Sequence, residues 1–210
     1  MCAIIGYSPR ATGLELRDRV ELFEQFRRLA RECMARGTHA FGLARWAHGA
    51  IHVTKSQDID DVLLDFEPSE LCIFHARYST SGDWREPRNN QPLVVNDFAL
   101  AFNGVIHMGT RDEMERAYSV ELSSENDGEI FVRCVLGGEP AADFIGQMRG
   151  SFAGVWLQGG ALYAGRNERR PLWKAERLGA TWIVSTEDIL RRAGITARYA
   201  EFQPGVEGPL

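Results

Sequence analysis

Short apolar runs rich in β-branched and aromatic residues recur along this chain, and they constrain its fold more than any other feature. Segments at 2–7, 39–46, 50–55, 71–78, 98–106, 152–158, 161–166, 171–176 and 181–186 each read as a strand. The Gln158-Gly159-Gly160 turn between two of them predicts a hairpin, so much of the sheet is expected to be antiparallel. A long helix is predicted at about 15–36, where Leu16, Val20, Phe23, Phe26, Leu29, Ala30, Cys33 and Met34 recur at helical spacing and Gly37 is placed to end it. Shorter helices are predicted near 58–65, 110–118, 128–136, 141–148 and 187–193. Helices grouped between runs of strands predict an α+β layered fold and not a doubly wound nucleotide-binding sheet. No G-x-G-x-x-G or P-loop contradicts this.

With 210 residues, 44% hydrophobic and 25% charged, the chain is sized for one globular domain, expected over 1–200. Pro204, Gly205, Gly208 and Pro209 predict a loosely attached tail at 201–210. A net charge of -5 gives no general attraction for nucleic acid or an anionic membrane. Arg27, Arg28, Arg31 and Arg36 share a helix with Glu21, Glu24 and Glu32, which reads as a solvated mixed-charge face. No apolar run approaches a membrane span and no signal segment opens the chain, so a cytoplasmic location is expected. Cys2, Cys33, Cys72 and Cys134 are widely separated, predicting neither a zinc site nor a disulfide framework; Cys33, Cys72 and Cys134 read as packing residues.

Cys2 is different, because removal of Met1 would leave it at the N-terminus. The residue would then carry both a nucleophilic thiol and a free α-amine of pKa about 8, able to take the thiol proton at neutral pH. Taken alone, Cys2-Ala3-Ile4-Ile5-Gly6-Tyr7 also reads as an apolar strand in which the thiol only packs. If Cys2 attacks an amide carbonyl, donors for an oxyanion and groups for the substrate's charged ends are needed. Asn103-Gly104 ends a strand and offers a side-chain amide beside an unobstructed N–H, or else an ordinary Asn-Gly turn. Arg77 leads into Ser79-Thr80-Ser81-Gly82, a fork suited to a carboxylate or to structural loop contacts. Asp127 precedes the run Ile130-Phe131-Val132, where it can N-cap a helix, bind an ammonium, or both.

Met-Cys at the start, RGTHAFGLA at 36–44, HARYSTSG at 75–82, NNQPL at 89–93, NGVI at 103–106, SSENDGEI at 123–130, MRGSFAGV at 148–155, RRPL at 169–172 and VSTED at 184–188 occur in a telling order. In that order they resemble class II glutamine amidotransferase domains, and most of all the glutaminase domain of amidophosphoribosyltransferases. The resemblance covers nearly the whole chain. It implies an N-terminal-nucleophile hydrolase fold, a four-layer αββα sandwich of two antiparallel sheets. It further implies Cys2 as nucleophile, Asn103 and Gly104 as oxyanion hole, Arg77 on the α-carboxylate of L-glutamine and Asp127 on its α-ammonium. Tyr78 and Thr80 would line the glutamine pocket, and Arg36 and Gly37 would support the nucleophile. His39 stands where the family usually carries an acidic residue.

The reaction so implied is hydrolysis of L-glutamine to L-glutamate and ammonia through a γ-glutamyl thioester on Cys2, with no metal or cofactor. No synthase domain fits after residue 190. A stand-alone glutaminase delivering ammonia to a separate acceptor synthetase is therefore expected, its oligomeric state left open. The alternatives are a γ-glutamyl amidohydrolase acting on a larger metabolite, and a silent glutamine-binding regulatory subunit.

Overall fold

In the computed structural model, residues 2–10, 13–196 and 198–210 are described. Met1, whose removal the sequence predicts, lies outside them. The elements run β1 (Ala3–Pro9), α1 (Leu16–Cys33), β2 (Ala40–Ala47), β3 (Ala50–Ser56), α2 (Ile59–Leu63), β4 (Leu71–Arg77), β5 (Leu93–Val95) and β6 (Phe98–Val105). The second half continues with α3 (Arg111–Tyr118), α4 (Gly128–Leu136), α5 (Ala141–Gln147), β7 (Ser151–Gln158) and β8 (Ala161–Arg166). The chain closes with β9 (Trp173–Arg177), β10 (Ala180–Val184), α6 (Glu187–Arg192), β11 (Tyr199–Glu201) and β12 (Gly205–Glu207).

Two antiparallel sheets form, a seven-stranded one in the order β11-β9-β10-β1-β4-β2-β3 and a five-stranded one in the order β12-β8-β7-β6-β5. Successive side chains on a strand face opposite ways, and this period sorts the apolar residues into three cores. Ile5, Tyr7, Leu43 and Phe74 of the first sheet meet Leu22, Phe26, Leu29 and Cys33 of α1. Ile4, Ala44, Ile73 and Ile183 meet Ala99, Ala101, Val155 and Leu162 between the sheets. Phe98, Leu100, Phe102, Phe152 and Trp156 of the second sheet meet Met114, Ile130, Phe131 and Phe144 of α3, α4 and α5. The result is the expected αββα sandwich.

Three details differ from the sequence reading. First, α1 stops at Cys33, short of Gly37. Gly37 is set by a close approach instead, since a Cβ there would lie 2.5 Å from the carbonyl carbon of Arg77. Second, the irregular stretch 79–97 contains β5 and a 3-10 turn at Pro87–Asn89. Third, residues 201–210 are not a loose tail. There β11 pairs with β9, β12 pairs with β8, the Leu210 N–H donates to Leu162 O at 2.9 Å, and Phe202 is buried.

Candidate active site

The strand period that builds the cores also places the candidate residues. In β4, Ile73 faces the inter-sheet layer while Phe74 and Ala76 face α1, so His75 and Arg77 fall on the inward side. Ala3 pairs with Ala76, and continuing that register sets Cys2 opposite Arg77. In β6, Ala99 and Ala101 are inward, which puts Asn103 on the same inner side of the other sheet. Cys2, Arg77 and Asn103 therefore share one margin of the layer between the sheets.

The Cys2 thiol is held against the backbone of Tyr78, with Sγ 3.4 Å from both its N–H and its carbonyl oxygen. Arg36 Nε donates to Cys2 O at 2.9 Å. Burial pushes the thiol pKa up, while the Tyr78 backbone bond and the nearby Arg77 and Arg36 charges pull the other way. Burial thus favours the thiol over the thiolate, so any attack by this sulfur would call for a base.

Arg77 is buried, and its guanidinium is ringed by acceptors. It donates to Asn90 Oδ1, Ser79 Oγ, Ser81 O and Gly82 O. Burial lowers its pKa, opposed by the charges of Cys2, Asp83 and Asp127, so all three lie within its electrostatic reach. Asn90 is fixed in turn, its Nδ2 donating to Trp84 O at 2.8 Å and its carbonyl accepting from Lys55 Nζ at 2.7 Å. Burial, then the Arg77 charge, brings the Lys55 ammonium down to about 8.

Asp127 stands at the N-cap position of α4, yet its carboxylate does not cap it. Oδ2 accepts from Ile106 N at 2.7 Å and His107 N at 3.3 Å, and Asn126 Oδ1 takes the Gly128 N–H at 3.0 Å. Burial raises the Asp127 pKa against these backbone bonds. Asn103 is 3% exposed, and among the described residues nothing accepts from its Nδ2. Gly104 admits no larger residue, because a Cβ would lie 2.0 Å from Ser151 O on β7.

A cavity of about 370 Å³ lies beside these groups, within the range of small-ligand sites. Thr80, Ser81, Gly82, Val105, Met114 and Asp127 are among its walls. Cys2, Arg77, Asn103 and Gly104 are not; the loop after Arg77 and the strand end after Gly104 join them to it. Tyr78, predicted to line the same pocket, instead borders an open depression with Arg36, Gly37 and Thr38. The paired asparagines of 89–93 acquire a structural meaning that no residue-level signal gave. Asn90 receives Arg77, Asn89 Oδ1 receives the Glu125 N–H at 2.9 Å, and Asn89 O receives Asn126 Nδ2 at 2.9 Å.

Two sheets between helical layers with a cysteine at the head of an inner strand define the N-terminal-nucleophile hydrolase architecture of class II glutamine amidotransferase domains. The particular relatives agree with that class. The chain is 29% identical over 182 residues to amidophosphoribosyltransferase of Mycobacterium tuberculosis strain H37Rv, covering 72% of this chain and 33% of that protein. It is 27% identical over 220 residues to glutamine–fructose-6-phosphate aminotransferase (isomerizing) of Bacillus subtilis strain 168, covering 96% of this chain and 34% of that one. This chain thus spans about a third of the length of the curated relatives it matches. No protein-family model matches.

Among solved structures, glutamine phosphoribosylpyrophosphate amidotransferase from B. subtilis superposes with a TM-score of 0.69 at 18% identity, over 98% of this chain and 48% of that one. A glutamine aminotransferase class-II domain protein from Silicibacter pomeroyi gives 0.59 at 14% identity, over 98% and 93%. The chain shares its fold with these glutamine amidotransferase structures, and the curated relatives it resembles in sequence carry class II glutamine amidotransferase domains.

Proposed function

We propose that the chain hydrolyses L-glutamine to L-glutamate and ammonia through a thioester on Cys2. The observation that carries this reading is the buried Asn103 Nδ2, a donor with no acceptor among the described residues, on the same inter-sheet margin as Cys2 and Arg77. A buried amide N–H without a partner costs about 1–3 kcal/mol, and an oxyanion arriving beside it removes that cost.

In the proposed reaction the α-amine of a processed Cys2 takes the thiol proton, and sulfur attacks the side-chain amide carbon of glutamine. Asn103 Nδ2 and the Gly104 N–H stabilise the oxyanion. The ammonium then returns the proton to the departing nitrogen, ammonia leaves, and water opens the thioester to glutamate. Arg77 receives the α-carboxylate by exchanging a loop carbonyl for a charged acceptor. Asp127, held above its usual pKa by burial, gains a charge partner in the α-ammonium. Thr80 lines the pocket, Tyr78 supports the sulfur through its backbone, and Arg36 and Gly37 fix the entry of β1 and the approach of β4. The ammonia passes to a separate acceptor synthetase, because ammonia released to water at neutral pH is protonated and non-nucleophilic.

Intact mass before and after incubation with a diazo-ketone analogue of glutamine tests this reading. A chain lacking Met1 that gains one adduct on Cys2, and a Cys2→Ala variant that gains none and has no glutaminase activity, are expected. A processed wild-type chain that takes up no adduct refutes the glutamine pocket.

A further inference from the structure

His39 makes two hydrogen bonds to one three-residue segment. Its backbone N–H donates to Arg77 O at 3.0 Å, and its ring Nδ1 accepts the Ser79 N–H at 3.0 Å. The residue bracketed between those contacts is Tyr78, whose backbone N–H and carbonyl both face Cys2 Sγ at 3.4 Å. The imidazole also packs nearly parallel to Tyr78, with ring centroids 4.9 Å apart, and to Trp84, at 5.6 Å. Trp84 O in turn accepts from Asn90 Nδ2, the side chain whose Oδ1 receives Arg77. One imidazole therefore touches both ends of the 78–84 loop, the end beside the nucleophile and the end beside the partner of Arg77.

We infer that His39 is a positioning residue for this site, holding the 77–82 segment in register with Cys2 and Arg77 through its Nδ1 lone pair. The role rests on the glutaminase reading. The Ser79 N–H points at Nδ1, so that ring nitrogen is the acceptor of the contact. Without that acceptor the Ser79 N–H loses its partner. The Ser79 hydroxyl, which donates to Gly82 O at 2.9 Å and accepts from Arg77, loses its anchor with it. His39 thus acts on substrate only through the loop.

Two variants of the full chain separate the acceptor from the stacked ring. His39→Phe keeps an aromatic ring and removes the acceptor, whereas His39→Asn removes the ring and keeps an acceptor at similar reach. Amide hydrogen exchange of the 78–84 segment is expected to speed up about tenfold in the Phe variant and to return toward wild type in the Asn variant, the scale of one lost hydrogen bond. The half-saturating concentration of the diazo-ketone analogue is expected to rise about tenfold in the Phe variant. Its melting temperature should stay near wild type.

Unchanged exchange and unchanged half-saturation in the Phe variant would overturn the role. So would an Asn variant as impaired as the Phe variant, which would assign the effect to stacking, or a Phe variant with a collapsed melting transition. If the wild-type chain takes no diazo-ketone label, the glutaminase reading fails by itself, and hydrogen exchange still decides whether His39 holds the loop.

Discussion

The layers outside the two sheets and the layer between them are built from different side chains. Tyr7, Phe26, Phe66, Phe74 and Trp182 fill one outer core, and Phe98, Phe102, Phe131, Phe152 and Trp156 fill the other. Between the sheets stand Ala44, Ala99, Ala101, Ala153 and Ala164, among Ile, Val and Leu, with Phe202 the one buried aromatic side chain of that cluster among the described residues. Large aromatic groups remove much apolar area from water, so the outer layers supply most of the stability. Small residues let two backbones approach, and where they give way to Cys2, Arg77 and Asn103 the same thin layer holds the proposed site. Stability and chemistry are thereby assigned to different layers, and a substitution should report which one it is in.

The largest effect is expected from Phe131→Ala, which opens a cavity in the outer core between α4 and the second sheet. Unfolding free energy should fall by about 3–5 kcal/mol in urea titrations, with kcat at a permissive temperature near wild type. Asn103→Ala should do the reverse. If Asn103 is the proposed oxyanion donor, its loss is worth about 2.7–4 kcal/mol in kcat, while stability should hold or rise because an unpartnered buried donor is gone. Should kcat survive, Asn103 is a packing residue and the division into layers is wrong.

Ala101→Leu probes the thinness of the inner layer directly. Forcing the sheets apart should cost about 1–3 kcal/mol and also lower activity, because the two halves of the site sit on different sheets. The smallest effect concerns His75, fully buried on the inward face. Burial first, then the Arg77 charge, lowers its pKa to about 3. The unfolded chain therefore takes up a proton that the native one refuses, and stability falls as pH drops below about 6.5 and levels off near pH 3. At pH 5.5 this amounts to about 1.3 kcal/mol relative to pH 7. A His75→Phe variant measured by denaturant melts at both pH values should lack that part of the acid loss.

The outer layers were the legible part of the sequence. Their residues follow the helical and strand periods closely, as Phe26, Leu29 and Cys33 do on α1, so those elements are predicted to within a few residues. The short strands β5, β11 and β12 carry no such signal, because three residues on a sheet edge owe their conformation to the neighbour they pair with. Gly37 was visible as a helix stop but is required by a contact with β4, forty residues away in sequence. At the site, residue types at strand ends pointed to Cys2, Arg77 and Asn103. Their supports, the Asn90 receptor of Arg77 and the His39 bracket around Tyr78, arise from pairings across the fold that no local pattern encodes.

The last residues of the chain have a consequence for solubility. A single short segment lays β11 along the outer strand of one sheet and β12 along the outer strand of the other, and Lys174 on β9 reaches Glu207 on β12. Each sheet therefore ends on a strand of only three residues, and so short an edge is a poorer template for pairing with another molecule than a bare β8 or β9 would be. Cutting the chain after Arg198 would uncover β8 and β9 together, two parallel invitations to self-association on one molecule. The covering of both strands thus depends on about a dozen residues, 199–210, that lie outside the proposed site.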